Sequence, residues 1–248
     1  MTSNPVSNAE SELLRDLVDA NHILFNEKVV DAFGHVSVRH HPRRDHFLLA
    51  RNIAPASVAA EDIIEFDLDG VSVSGDERRT YLERFIHSEI YRARPDVMAI
   101  VHNHSPSVVS FSLVREFRFR PACHMCGFLG NGAENFDIRD VGGPGTDLLI
   151  RNRRLGQALA NSLGSSNAVL MRGHGSTVVA PSLKQAVYRA VYTEVNAKIL
   201  ADALRIGSVE YLSLEEAQAA LAIEEQIERP WQLWKAAARN ARSPITRT

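Results

Sequence analysis

Residues 98–104 read Met98-Ala99-Ile100-Val101-His102-Asn103-His104, an apolar run that ends in two histidines one residue apart. The run is short, rich in branched residues and followed by Ser105-Pro106, which predicts a buried strand carrying its polar end to an open rim. Residues i and i+2 of an extended strand point to the same face, so the two imidazoles are presented side by side. That geometry suits a metal ion, and it equally suits two hydrogen-bonded histidines at a strand end.

Two other stretches separate these readings. Upstream, Thr80-Tyr81-Leu82-Glu83-Arg84-Phe85-Ile86-His87 opens a helical segment that runs to Ala93 and places Glu83 and His87 one turn apart on one face. Downstream, Ala168-Val169-Leu170-Met171-Arg172-Gly173-His174-Gly175 repeats the pattern of an apolar strand ending in a histidine, here between two glycines that let the backbone approach a ligand closely. Three imidazoles and one carboxylate make the ligand set of a catalytic metal site with exchangeable positions, not the thiolate-rich set of a structural zinc site. The expected cofactor is a divalent metal ion held by His102, His104, His174 and Glu83. Three imidazoles suit zinc, and hard oxygen ligands suit manganese or another first-row ion.

With 248 residues, 45% of them hydrophobic, and a formal net charge of −2, the chain is long enough for one domain with a sizeable core and has no global basic field to recruit nucleic acid or a membrane. The stretch from Arg115 to Arg120 is locally basic, as a solvated or interface loop is. Cys123 and Cys126 form a C-x-x-C pair with no second pair to complete a zinc site, and they read as reduced thiols. The first residues include acids and no long apolar run, so neither a signal peptide nor a spanning helix is expected, and the expected location is cytoplasmic.

Residues 1–9 are expected to be disordered, with Asn8 or Ser11 capping a helix from about Glu10 to Asn26. Strands are expected from Gly34 to Arg39, from His46 to Ala50, and over Ile63–Asp67 and Val71–Val73 around a turn at Leu68-Asp69-Gly70. Helical periodicity covers Ser107 to Leu113, Thr146 to Ser162 and Ser182 to Ile206, while Gly127 to Gly145 reads as a Gly-rich polar segment. Antiparallel pairs mixed with helices point to a layered α/β/α domain and not to a regular βαβ alternation.

Glu83 ahead of Arg94-Pro95-Asp96-Val97, then Val101-His102-Asn103-His104-Ser105, then Arg172-Gly173-His174-Gly175, together resemble the class II aldolase/adducin family over most of residues 10–207. The resemblance implies an α/β fold, a three-layer α/β/α arrangement around a central mixed, largely antiparallel sheet, and a homotetramer with sites at subunit interfaces. His102, His104 and His174 match the family's metal-binding histidines, and Glu83 matches the carboxylate that serves as ligand or acid/base. Residues 10–212 then form the catalytic domain. Residues 213–248, with Trp231 and Trp234, form a helical tail packed on that domain or on a neighbouring subunit.

Departures from the family pattern bear on substrate. Sugar-phosphate aldolases of the family hold phosphate with small hydroxyl residues just before the glutamate, where this chain has Tyr81 and Leu82. The family's Gly-Asn-(apolar)-Ser strand becomes Gly34-His35-Val36-Ser37, and its Thr-Pro-Thr-Gly-like loop corresponds to Ala50-Arg51-Asn52-Ile53. Arg51 offers a guanidinium for a carboxylate, His35 an imidazole for proton transfer, and Tyr81 a ring for stacking or hydrogen bonding. Taken singly, each is as well explained as a surface arginine, a strand-end histidine and a core tyrosine. Near residue 125 the aldolases place a tyrosine that reaches the neighbour's site; here Met125 matches it and His124 stands beside it.

The joint change resembles the branch of the family that decarboxylates hydroxylated aromatic or heteroaromatic acids. The expected activity is that of a metal-dependent lyase of this kind, with Glu83 and His35 as catalytic residues and Arg51, Tyr81 and His124 binding a small carboxylic acid. His87 is expected to support or pack against the site and not to ligate. The alternative is an aldolase, epimerase or dehydratase acting on a small hydroxy-carbonyl compound or sugar phosphate. An adducin-like assembly module would have no need for an open metal site.

Overall fold

The computed structural model describes residues 8–242. Its elements in chain order are α1 (Asn8–Asn26), β1 (His35–Arg39), β2 (His46–Ala50), β3 (Ile63–Asp67), α2 (Arg84–Ala93), β4 (Ala99–Asn103), α3 (Pro106–Ser112), β5 (Glu134–Phe136), α4 (Arg139–Gly142), α5 (Arg153–Leu163), β6 (Ala168–Met171), β7 (Gly175–Ala180), α6 (Leu183–Ile206), α7 (Leu214–Ala220) and α8 (Glu228–Arg242). The expected disorder of residues 1–7 lies outside the described residues, and Asn8 and Ala9 already belong to α1.

The seven strands form one sheet in the order β3-β2-β1-β4-β7-β6-β5. Every neighbouring pair is antiparallel except β5 and β6, so the sheet is mixed and largely antiparallel, as expected. Strand alternation divides the core in two. Ala99 and Val101 of β4 join Leu17, Ile23, Val178, Val187 and Trp231 under α1, α6 and α8. Ile100, on the opposite face, joins Phe47, Ile86, Ile90, Leu159 and Val179 under α2 and α5. The result is three layers. His102 shares the parity of Ile100 and therefore emerges on the α2 side, at the rim of the sheet.

Three expectations are corrected. The strand expected over Val71–Val73 is reduced to an isolated bridge from Ser72 to Phe66. The helix expected from Thr146 begins at Arg153, because Asn152 adopts an extended conformation and its side chain accepts the Leu155 N–H at 3.1 Å. Thr146 Oγ1 and Asp147 Oδ1 capture the Leu148 and Leu149 N–H groups, so short polar side chains hold residues 146–149 out of the helix. The segment from Gly127 to Gly145, read as Gly-rich and polar, contains β5 and α4. Periodicity gives no hint of β7, whose six residues, Gly175 to Ala180, are all buried and so show no polar alternation.

The tail packs on its own domain. Trp231 is 1% exposed within the α1/α6 core, α8 lies against α1, and Lys235 bridges Asp16 at 3.2 Å and Asp19 at 2.9 Å. No helix of the described residues is long and apolar enough to cross a membrane.

Candidate metal centre

Glu83, His102, His104 and His174 each offer one ligand atom, and these four atoms lie within 4.8 Å of one another. His102 ends β4, His104 follows it, and His174 sits in the turn between β6 and β7, which places all three at one rim of the sheet. Gly175 makes this possible by close approach: a Cβ there would stand 1.9 Å from the Asn103 carbonyl oxygen. The glycine serves contact between two strands and not, as expected, contact with a ligand. Glu83 immediately precedes α2.

The imidazoles meet through Nε2. His104 Nε2 is 3.1 Å from His102 Nε2 and 3.0 Å from His174 Nε2, and Glu83 Oε2 is 3.6 Å and 3.5 Å from His102 and His174. Tetrahedral coordination at about 2.0–2.1 Å implies nitrogen separations of roughly 3.3 Å, so the set is spaced for an ion. The opposite ring edges define the tautomers. His174 Nδ1 donates to the Leu148 carbonyl at 3.0 Å; His102 Nδ1 lies 3.3 Å from Thr177 Oγ1, and the Ser176 backbone also bonds its ring. Both rings therefore turn bare Nε2 lone pairs inward, toward a carboxylate oxygen. His104 Nε2 can donate to only one of them, and a cation resolves the rest. The residues present fit a divalent metal.

The electrostatics agree with a ligating state. Burial lowers the His102 and His104 imidazoles, the latter to about 3 with neighbouring His102 and His174 adding to the effect, so both are uncharged near neutrality. Burial alone would raise the Glu83 carboxyl, but positive charge on its His102 and His174 side, carried by ring protons when no ion is bound, holds it well below the usual carboxylate range. Glu83 Oε1 also accepts the Ile150 N–H at 2.9 Å. Leu148 and Ile150 thus orient two of the four groups from a loop that periodicity assigned to a helix.

His35 pairs directly opposite His102 in the β1–β4 register, and the ring centroids are 5.0 Å apart. Its Nδ1 is 2.6 Å from His87 Nε2, and His87 is not among the four clustered ligand groups. Tyr81 packs against His35 at 4.6 Å between centroids, while its hydroxyl bonds the Ile53 carbonyl, so its ring and not its hydroxyl faces the site. Burial pushes the Tyr81 phenol up to about 12. Arg51 commits its Nε to Asp62 Oδ1 at 2.7 Å. His124 is exposed and lines, with Met125, Tyr188 and Tyr192, a cavity of about 290 Å³ that shares no residue with the metal group. Cys123 and Cys126 are free thiols with sulfurs 3.3 Å apart and likewise stand outside that group.

A cavity of about 330 Å³ opens on His104 and is lined by Phe25, Lys28, Val29, Val30, Asp31 and Pro106. Sequence reasoning missed it, although Phe25 in the last turn of α1 and Lys28 just beyond that helix offer an exposed aromatic and a cation. Phe33, 67% exposed, stands 6.5 Å from the His104 ring.

The sequence profile of the Class II Aldolase and Adducin N-terminal domain matches residues 15–201. The decarboxylase tropJ of Talaromyces stipitatus is 35% identical over 245 residues, which cover 89% of this chain and 92% of that one. The 3,4-dihydroxyphthalate decarboxylase of Arthrobacter keyseri is 35% identical over 179 residues, 64% of each chain. Among solved structures, L-fuculose 1-phosphate aldolase from Glaciozyma antarctica PI12 superposes with a TM-score of 0.77 at 23% identity, over 97% of this chain and 94% of that one, a likeness of fold. Because the match runs unbroken through the elements that bring Glu83 to the three histidines, this chain belongs to the class II aldolase and adducin family.

Proposed function

We propose that the protein is a divalent-metal-dependent carbon–carbon lyase that decarboxylates a hydroxylated aromatic or heteroaromatic carboxylic acid. The observation that carries this reading is the seating of His35 against His102 with Tyr81 packed on His35, so that two planar rings stand where a phosphate group needs small hydroxyl donors. Relatives 35% identical to the chain are named decarboxylases, one of them for 3,4-dihydroxyphthalate, which carries both hydroxyl and carboxylate groups.

His102, His104, His174 and Glu83 would hold the ion. When bound, a divalent cation supplies Lewis-acid stabilisation of negative charge developing on the substrate's phenolic oxygen. Glu83, ionised and oriented by the Ile150 N–H, accepts the phenolic proton. As the bond from ring to carboxylate breaks, its electron pair stays with the ring, carbon dioxide leaves, and a proton returns to the same carbon. Glu83 and His35 are the two groups at the cluster able to handle that proton. Lys28, in the cavity beside His104, and the outer nitrogens of Arg51 are the cations offered to a second carboxylate, and the Tyr81 ring stacks on the substrate. In a homotetramer, His124 serves a neighbouring subunit's site.

The test is carbon dioxide release by zinc- or manganese-loaded protein from a panel of hydroxybenzoates, hydroxyphthalates and pyridine carboxylates. Release that a chelator abolishes supports the reading. Cleavage of a sugar phosphate with no carbon dioxide from any acid would replace it with an aldolase.

A further inference from the structure

We propose that a buried chain of side chains, Tyr91–Ser37–His87–His35, places the ring hydrogen of His35 on Nε2, so that His35 serves the substrate as an N–H donor and Glu83 carries the proton. The identity of the substrate rests on the decarboxylase reading; the position of the hydrogen does not.

The chain follows from two periodicities. His35 and Ser37 are i and i+2 on β1 and face α2, while His87 and Tyr91 are i and i+4 on α2 and face β1. The four side chains interleave: Tyr91 hydroxyl to Ser37 Oγ at 2.8 Å, Ser37 Oγ to His87 Nδ1 at 2.6 Å, and His87 Nε2 to His35 Nδ1 at 2.6 Å. Ser37 and His87 are 0% exposed, Tyr91 1% and His35 4%.

Hydrogen accounting gives this chain one direction. Among the described residues, the Tyr91 hydroxyl has Ser37 Oγ as its hydrogen-bond partner and no other acceptor, so it donates there; the reverse polarity would leave a buried O–H pointing at nothing. Ser37 is then free to donate only to His87 Nδ1. An imidazole that accepts at Nδ1 carries its hydrogen on Nε2, so His87 donates to His35 Nδ1, and His35 in turn carries its hydrogen on Nε2. The two nitrogens occupy opposite edges of the ring. With Nδ1 turned to His87, Nε2 is left for a ligand, on a ring packed between His102 and Tyr81.

This divides the work at the site. An N–H aimed at a substrate oxygen strengthens its hydrogen bond as negative charge develops there, and the same group offers no lone pair with which to act as a base. Glu83 is then the group that takes the phenolic proton and returns it to the ring carbon. His87, Ser37 and Tyr91 are positioning residues: they act through His35, in the way outer hydrogen-bond partners select the tautomer of a working histidine.

Neutron diffraction from deuterium-exchanged crystals of the zinc-loaded protein reads the hydrogens directly. Deuterium is expected on Nε2 of both His35 and His87 and not on either Nδ1. Deuterium on His35 Nδ1 overturns the proposal. As a second measurement, Ser37→Ala, which interrupts the chain, should lower kcat for carbon dioxide release about 10- to 100-fold with KM and zinc content near wild type, and Ser37→Thr should restore most of it. Unchanged kcat in Ser37→Ala would overturn the positioning role. If the neutron result holds and no hydroxylated aromatic acid releases carbon dioxide, the decarboxylase reading fails while the assigned tautomer stands.

Discussion

The backbone carbonyl of Leu148, a residue held at a φ of 69°, accepts the Nδ1 hydrogen of His174 at 3.0 Å. A left-handed conformation at a non-glycine residue costs on the order of 1–3 kcal/mol and persists where the surroundings require it. Here it aims a carbonyl at a histidine of the candidate metal group. Leu148→Val, which adds β-branching at that φ, should lower metal affinity about 10- to 100-fold as the carbonyl moves, whereas Leu148→Gly should retain it. Metal titration followed by calorimetry distinguishes the two; equal affinity in both variants would show that the carbonyl does not position His174.

His102→Ala, His104→Ala and His174→Ala should each abolish stoichiometric metal binding and leave far-UV circular dichroism near wild type. The three candidate ligands lie at a strand rim beyond the two apolar cores, so their loss spares the packing that holds the sheet. Elemental analysis after dialysis is the measurement, and full occupancy in any variant removes that histidine from the ligand set.

Glu83→Gln keeps the shape and the acceptor for the Ile150 N–H but cannot exchange a proton. Turnover should fall by a factor on the order of a hundred to ten thousand, while zinc remains bound through the three histidines. Steady-state rates and metal content measured on one preparation separate this from simple loss of the ion.

Acid should destabilise the metal-free protein through its buried imidazoles. Burial lowers the His87 imidazole from 6.5 to about 3, and burial with neighbouring His102 and His174 lowers that of His104 to about 3. Between those values the unfolded chain binds protons that the native state excludes. The stability is therefore fully present above about pH 6.5 and is lost as pH falls toward about 3, at up to about 1.4 kcal/mol per pH unit for His87 and less for the partly exposed His104. Urea midpoints in the presence of a chelator should be level from about pH 7 to 8 and fall toward pH 5. A midpoint that rises on acidification contradicts the assignment.

Phe33, Leu113 and Val114 are 67%, 61% and 51% exposed, and Gly173 in the His174 turn lies against Leu113. Apolar groups left open beside a site fit coverage by another subunit. Sedimentation velocity at micromolar concentration should give a homotetramer, and a monomer would exclude a shared site.

Short-range order was legible without coordinates. The apolar run before His102 and the repeated strand before His174 announce their elements because burial and strand or helix period imprint themselves locally. Spacing also sufficed to propose Glu83 and the three histidines as one set. What only the tertiary structure decided depends on pairings far apart in the chain. The residues from Thr146 to Asn152 leave the helical pattern because side-chain caps outcompete periodicity, and only in the folded molecule do Leu148 and Ile150 reach His174 and Glu83. Arg51 read as a whole guanidinium for a carboxylate, and only the fold shows Asp62 holding its Nε, which leaves the outer nitrogens. His35 was legible as a proton-transfer candidate and His87 as its neighbour in support of the site, whereas Ser37 and Tyr91 read as ordinary strand and helix residues; it is the packing of α2 across β1 that makes the four a single hydrogen-bonded line, because hydrogen-bond direction is a property of partners and no residue carries it alone.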